Sequence, residues 1–177
     1  GALIATAMEK MGISYRGGEP VQSIEAGDSG RAAAVVTQRG RYPADIVVLG
    51  LGVRPNADVA AAAGLPIGER GGLLTDDRMQ VLDHPGIWAG GDCVEVGDRI
   101  TGRRLHVPLG THANKHGRVI GANLAGGDLR FPGIVGTAVS KICELEISRV
   151  GLREQEARDL GLDVVSATGR SIGTVVA

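Results

Sequence analysis

Gly86-Ile-Trp-Ala-Gly-Gly-Asp-Cys-Val-Glu95 is the stretch on which the reading of this chain turns. Ile87, Trp88 and Ala89 form a short apolar run, Gly90 and Gly91 stop it, and Asp92 follows at once. That pattern predicts a buried parallel strand whose carboxyl end must be approached closely by something else. Glycines admit backbone shapes and contacts that a side chain would block. An ionised carboxylate accepts hydrogen bonds and donates none, so Asp92 suits a sugar or polyol hydroxyl. Taken alone, the tripeptide reads better as a plain Gly-Gly-Asp turn at a strand end; its flanks change that.

Downstream, Val107-Pro-Leu-Gly-Thr111 leads into a helix of about 15 residues that stops near Gly126-Gly127. Ala113, Gly117, Gly121 and Ala125 recur every four residues and fall in one stripe of small side chains. Val119, Ile120 and Leu124 are expected to supply the stabilising face. Mid-helix glycines cost about 1 kcal/mol each against alanine, so a close contact with a sheet or a flat ligand is expected to offset them. The first N–H groups of this helix, fixed by Pro108 and Thr111, have no partner within it and carry partial positive charge. Such an end receives anions or partial negative charge. His112 and His116, four apart, could share a metal, but no glutamate lies between them and only His106 or Cys93 could be guessed as a third ligand. A polar helix face is the preferred reading.

Upstream, residues 2–11 read as a helix stopped by Gly12, and 21–26 and 32–38 as a hairpin joined by Gly27-Asp-Ser-Gly30. Gly40-Arg-Tyr-Pro43 reads as a turn and Asp45-Ile-Val-Val-Leu-Gly50 as a strand buried on both faces. Gly50-Leu-Gly52 then opens a short alanine-rich helix over 57–63, with Asn56 as its cap. This imitates a dinucleotide fingerprint, but Pro55 takes the third glycine's place and has no N–H for a phosphate. Gly50 and Gly52 either let the backbone pass close to a ligand or simply turn. Residues 71–77 read as a turn and a short strand. Residues 130–137 read as a linker with strand character, 140–149 as a strand, 151–161 as a short helix, and 162–168 and 172–177 as strands; this order describes a small α+β unit.

Composition limits the function classes. A chain of 177 residues makes one domain or pieces of two. A net charge of -1 leaves no electrostatic footprint for nucleic acid or a membrane surface. No apolar run approaches a membrane span, and the opening Gly-Ala-Leu-Ile-Ala-Thr-Ala lacks the basic flank of a signal peptide. Cys93 and Cys143 have no motif spacing, which points to a reducing, cytoplasmic setting. With 29 glycines and 2% aromatics, the core must be built from Val, Ile, Leu and Ala, as in nucleotide-binding α/β proteins. Both ends fall inside an element, and the chain is expected to be part of a longer protein.

Three motifs in order, Asp45-Ile-Val-Val-Leu-Gly-Leu-Gly-Val-Arg-Pro-Asn56, Gly86-Ile-Trp-Ala-Gly-Gly-Asp-Cys93 and Pro108-Leu-Gly-Thr-His-Ala-Asn-Lys-His-Gly-Arg118, resemble the FAD-dependent pyridine nucleotide–disulfide oxidoreductases. The third motif is similar to the branch of NADH oxidases, NADH peroxidases and coenzyme A-disulfide reductases. Phe131-Pro-Gly-Ile-Val-Gly-Thr137, with Lys141 and Gly151-Leu152, resembles the start of that branch's dimerisation domain.

The resemblance implies an α/β fold, part of a flavoprotein with two dinucleotide-binding domains followed by the start of an α+β dimerisation domain. Residues 1–50 would end the NAD(P)H domain, 51–127 would be the C-terminal part of the FAD domain, and 128–177 part of the dimerisation domain of a homodimer. Asp92 would hydrogen-bond the ribityl chain of FAD, and the backbone at Thr111, His112 and Ala113 would face the flavin. Gly52, Gly91 and Gly110 complete the implied cofactor-binding set. A helix end beside the flavin would favour its reduced form by about 1 kcal/mol, or about 20 mV for a two-electron couple. The implied reaction passes electrons from NAD(P)H through FAD to a disulfide, a peroxide or dioxygen. No catalytic residue or metal site is assigned: the family's redox cysteine and nicotinamide turn precede its Gly-Gly-Asp motif, and Cys93 reads as a structural thiol. Arg153 stands where a Ser or Thr cap is common, which weakens that cap. Two other readings remain: a non-catalytic α/β nucleotide-binding or assembly module, and a metal-dependent hydrolase using His112 and His116.

Overall fold

The structure, a computed structural model, describes residues 2–169. The chain divides into two compact units, one drawn from Gly1–Arg54 with Val139–Ile147 and one from Pro55–Ala138 with Ser148–Ala177.

In the first unit, helix α1 (Ala2–Lys10) stops at Gly12, whose φ of +76° suits glycine. Strands β1 (Val21–Ala26), β2 (Ala32–Thr37) and β3 (Arg41–Pro43) form an antiparallel sheet in that order. The expected turn at 40–43 is therefore itself an edge strand: Pro43 pairs opposite Ala34 and Arg41 opposite Val36. Proline is tolerated there because an edge strand need not donate on its outer side. Glu19 fastens this sheet, accepting from the Thr37 hydroxyl at 2.5 Å and the Tyr42 hydroxyl at 2.7 Å. Residues 45–50 correct the sequence reading: they form no strand, and Ile46, Val48 and Leu49 are 75%, 88% and 64% exposed. A doubly buried strand needs neighbours on both edges, and no strand among the described residues pairs with this run.

The second unit carries the larger core. Leu73, Met79, Val81, Val94, Val96, Val119, Phe131 and Ile134 pack together. Helix α2 (Asp58–Ala62) starts from Ala57, not from the expected Asn56 cap, and ends at Gly64 with φ +77°. Strand β4 (Leu73–Leu74) pairs in parallel with β5 (Val94–Gly97), and β5 pairs antiparallel with β6 (Arg104–Leu105). The parallel strand thus follows Asp92 and does not precede it. The apolar run at 87–89 is folded back antiparallel on 79–81: Val81 N–H donates to Ile87 O at 2.8 Å and Ala89 N–H to Met79 O at 3.0 Å. Positive φ at Asp83 and Gly86 makes that reversal, and a local hairpin partner captures the run before a distant strand can.

Glu95 is 1% exposed and accepts from Arg70 N–H at 2.7 Å and Gly72 N–H at 3.1 Å. The buried carboxylate thereby satisfies the backbone of the 68–72 loop. Residues 130–137 are more than a linker: Phe131 and Ile134 are 6% and 3% exposed, and Ile134 bridges Asp98 in parallel.

The expected single strand at 140–149 is a hairpin of β7 (Ala138–Ile142) and β8 (Leu145–Arg149), turned at Cys143 with φ +56°. No Gly, Asn or Asp announces this turn, so it is silent in the sequence. Helix α4 (Glu154–Asp159) starts at Arg153, whose side chain caps no helix N–H, as expected, but Glu156 holds the start from the other side. Arg153 N–H donates to Glu156 Oε2 at 2.8 Å, and its guanidinium donates to Oε1. Residues 162–168 form no strand. The strand expected at 172–177 lies outside the described residues.

Candidate functional site

Helix α3 (Gly110–Leu124) builds one wall of the site. Its buried face consists of His116, Val119 and Asn123, with Ile120 packed against the core. Leu124, expected on that face, is 63% exposed. The small-residue stripe faces outward at Gly117 and Gly121, where an added Cβ would meet nothing within 4 Å. The contact expected to offset those glycines is therefore not made among the described residues. Asn123 instead ties the helix end down: its Nδ2 donates to Arg78 O and Leu129 O, and its Oδ1 accepts from Leu129 N–H.

The opposite wall is the Gly-Gly-Asp turn. A Cβ on Gly90 would stand 2.8 Å from His116 Cβ and 3.0 Å from Ile120 Cδ1, so only glycine lets α3 lie this close. Gly91 has φ +83°, and a Cβ there would lie 3.7 Å from Ala113 Cβ in the first turn of α3. The turn and the opening of the helix are thus in contact.

Asp92 is exposed, and its carboxylate has no hydrogen-bond partner among the described residues. Its backbone is held: the His106 Nε2–H donates to Asp92 O at 2.7 Å. At the helix start, Leu109 is extended with φ −136° and gives no side-chain cap. His112 and Ala113 N–H both donate to Leu109 O, leaving Gly110 and Thr111 to present the first amides. Gly110 and Thr111 are exposed, and a Cβ on Gly110 would meet open space. His112 is half-buried, its Nδ1–H donating to Val107 O at 3.4 Å. An exposed carboxylate thus follows a turn that packs on α3, and two uncapped amides open that same helix. A separate cavity of about 320 Å³, lined among others by Asp76, Asp98, Arg104 and Phe131, includes none of these residues.

Of the expected set, Gly91, Asp92, Gly110, Thr111, His112 and Ala113 all belong to the second unit, where Gly91 lies beside Ala113. Gly52 belongs to the first unit, with φ +84° and open space where a Cβ would stand.

His116 corrects the polar-face reading. It is 2% exposed, its Nδ1 accepts from Gly91 N–H at 3.0 Å, and its ring meets Phe131 edge-on at a centroid distance of 4.4 Å. Burial, and secondarily the neighbouring His112, pushes its pKa down from 6.5 to about 4, so the imidazole is neutral. With Nδ1 accepting, the proton sits on Nε2, which is buried without a partner among the described residues. Both ring nitrogens are thus withdrawn from metal ligation with His112, whose ring centroid lies 6.4 Å away. The signal was present in the spacing 116, 119, 120 and 123, a helical core stripe that holds a histidine and an asparagine among its apolar members.

Residues 1–117 match the family model described as pyridine nucleotide-disulphide oxidoreductase. The chain belongs to this family. An NAD(P)H sulfur oxidoreductase (CoA-dependent) of Pyrococcus abyssi is 42% identical over 158 residues, covering 89% of this chain and 35% of the relative. An NADH oxidase of Methanocaldococcus jannaschii is 35% identical over 170 residues, covering 96% of this chain and 37% of the relative. A solved structure of an FAD-dependent pyridine nucleotide-disulphide oxidoreductase from Desulfovibrio vulgaris superposes with a TM-score of 0.86 at 41% identity, over 93% of this chain and 41% of that one. The mixed α/β fold is therefore that of these flavoproteins, and the chain spans about a third of the length of the curated relatives it matches. Among the described residues no helix is long and apolar enough to cross a membrane.

Proposed function

We propose that this chain holds the flavin of an NAD(P)H-dependent FAD oxidoreductase. Residues 1–50 would close its NAD(P)H domain, 51–127 complete its FAD domain, and 128–177 begin a domain through which two copies pair in the cytoplasm. One observation carries the reading: the Gly90-Gly91 turn that leads into Asp92 lies against the first two turns of α3, the helix whose start leaves the Gly110 and Thr111 amides uncapped.

That pairing fits the implied cofactor. An acceptor-only carboxylate suits polyol hydroxyls, and an electropositive helix end suits the carbonyl edge of a flavin ring. Open space at Gly110 leaves room for a flat group against the backbone. Bound FAD would take a hydride from NAD(P)H and pass the electrons to an acceptor. The residues of this chain would hold it: Asp92 would accept hydrogen bonds from its polyol hydroxyls, and the electropositive start of α3 would favour negative charge on its ring. Relatives named for sulfur reduction and for NADH oxidation support a sulfur compound or dioxygen as acceptor.

The test is Asp92→Ala in the full-length protein. A hydrogen bond to a charged group contributes about 1.5–3 kcal/mol, so the FAD dissociation constant should rise at least about tenfold. An unchanged constant removes Asp92 from the site.

A further inference from the structure

We propose that His116 and His106 are positioning residues that aim the Asp92 carboxylate, gripping the Gly91-Asp92 dipeptide at its two ends. This inference rests on the flavin reading above.

The grip is a matter of opposed hydrogen bonds. The dipeptide begins at Gly91 N–H, which donates to His116 Nδ1 at 3.0 Å. It ends at Asp92 O, which accepts from His106 Nε2–H at 2.7 Å. One histidine acts as acceptor and the other as donor, so each must hold a defined tautomer. His116 comes from α3 and His106 from the segment just after β6, so two separate elements meet on one turn. Holding the first and last polar groups of the dipeptide narrows the rotations open to its backbone, and with them the directions open to the Asp92 Cα–Cβ bond.

Gly91 needs such support, since its φ of +83° is one of several conformations open to glycine. His116 is itself immobilised. It is 2% exposed, its ring stands at 90° to Phe131, and its Cβ fills the space that Gly90 leaves empty. The two histidines act on a bound ligand only through the residue they hold.

That last property gives the test, a double-mutant cycle in the full-length protein with FAD affinity as the readout. His116→Leu removes the acceptor and keeps the bulk, and should weaken FAD binding about tenfold. In the Asp92→Ala background the same change should weaken it less than about twofold, because no carboxylate remains to be aimed. His116→Asn, which returns an acceptor near the Nδ1 position, should restore most of the affinity; His106→Gln, which keeps a donor, should behave likewise against His106→Leu. Equal losses in both backgrounds, or no loss with His116→Leu, overturn the proposal while leaving the flavin reading in place. Equal failure of His116→Asn and His116→Leu overturns it too, and covers a His116→Leu chain that does not fold. A wild-type protein that takes up no FAD overturns both.

Discussion

His116 illustrates how one buried side chain sets both packing and protonation. Its Nδ1 lone pair is committed to Gly91 N–H, so adding a proton there would oppose two donors. Burial, and secondarily the neighbouring His112, make the folded chain resist a proton that the unfolded chain accepts: the pKa is about 4 in place of 6.5. Between those values the unfolded state binds more protons, so stability falls as pH drops from 6.5 towards 4. A shift of this size corresponds to on the order of 3 kcal/mol. Urea-denaturation midpoints at pH 7 and pH 4.5 should converge for His116→Asn relative to wild type. Parallel loss in the two proteins contradicts this assignment. The same residue shows where sequence reading fails. Two histidines four apart are legible as a pair, yet which of them turns inward depends on where Gly90 meets the helix. Glu95 and Asn123 were missed for the same reason, since a polar residue in a core stripe shows its value only when the backbone groups it satisfies are known.

At the scale of elements, those whose signals are local were legible. The helix over 110–124 and the hairpin over 21–37 follow from periodicity and from glycine-bearing turns. Elements that depend on partners were not. The run at 87–89 pairs with 79–81, and the hairpin at Cys143 carries no turn residue. Helix α4 shows a cap made by an unexpected residue. Hydrogen bonds from the Arg153 guanidinium, and then from its backbone N–H, lower the Glu156 pKa from 4.5 to about 2. The folded value is depressed, so the stabilisation is full above pH 4.5 and is lost as pH falls from there through about 2. An NMR titration of the Glu156 side-chain carboxyl should give a midpoint near 2; a midpoint at or above 4 would show that the box does not persist in solution. In Arg153→Ala the midpoint should rise towards 4.5.

For the molecule as a whole, the Gly-Gly-Asp turn and the helix start were read together from sequence, and the structure places the two glycines against α3. The apolar run 45–50 was read as buried, whereas Ile46, Val48 and Leu49, and after them Leu51 and Val53, are all exposed in this chain. An apolar surface of this kind on the 177-residue chain should bind a hydrophobic dye such as ANS. Fluorescence of the dye with this chain should fall when Val48 and Leu51 are both replaced by Asp; unchanged fluorescence would locate the dye elsewhere.

The account stands or falls on whether Asp92 and the opening of α3 hold a flavin. The direct measurement is the visible absorption spectrum of the full-length protein as purified, followed by identification of the cofactor released on denaturation. The account predicts flavin absorption bands and release of FAD. A colourless protein that gains no flavin bands on incubation with FAD would contradict it.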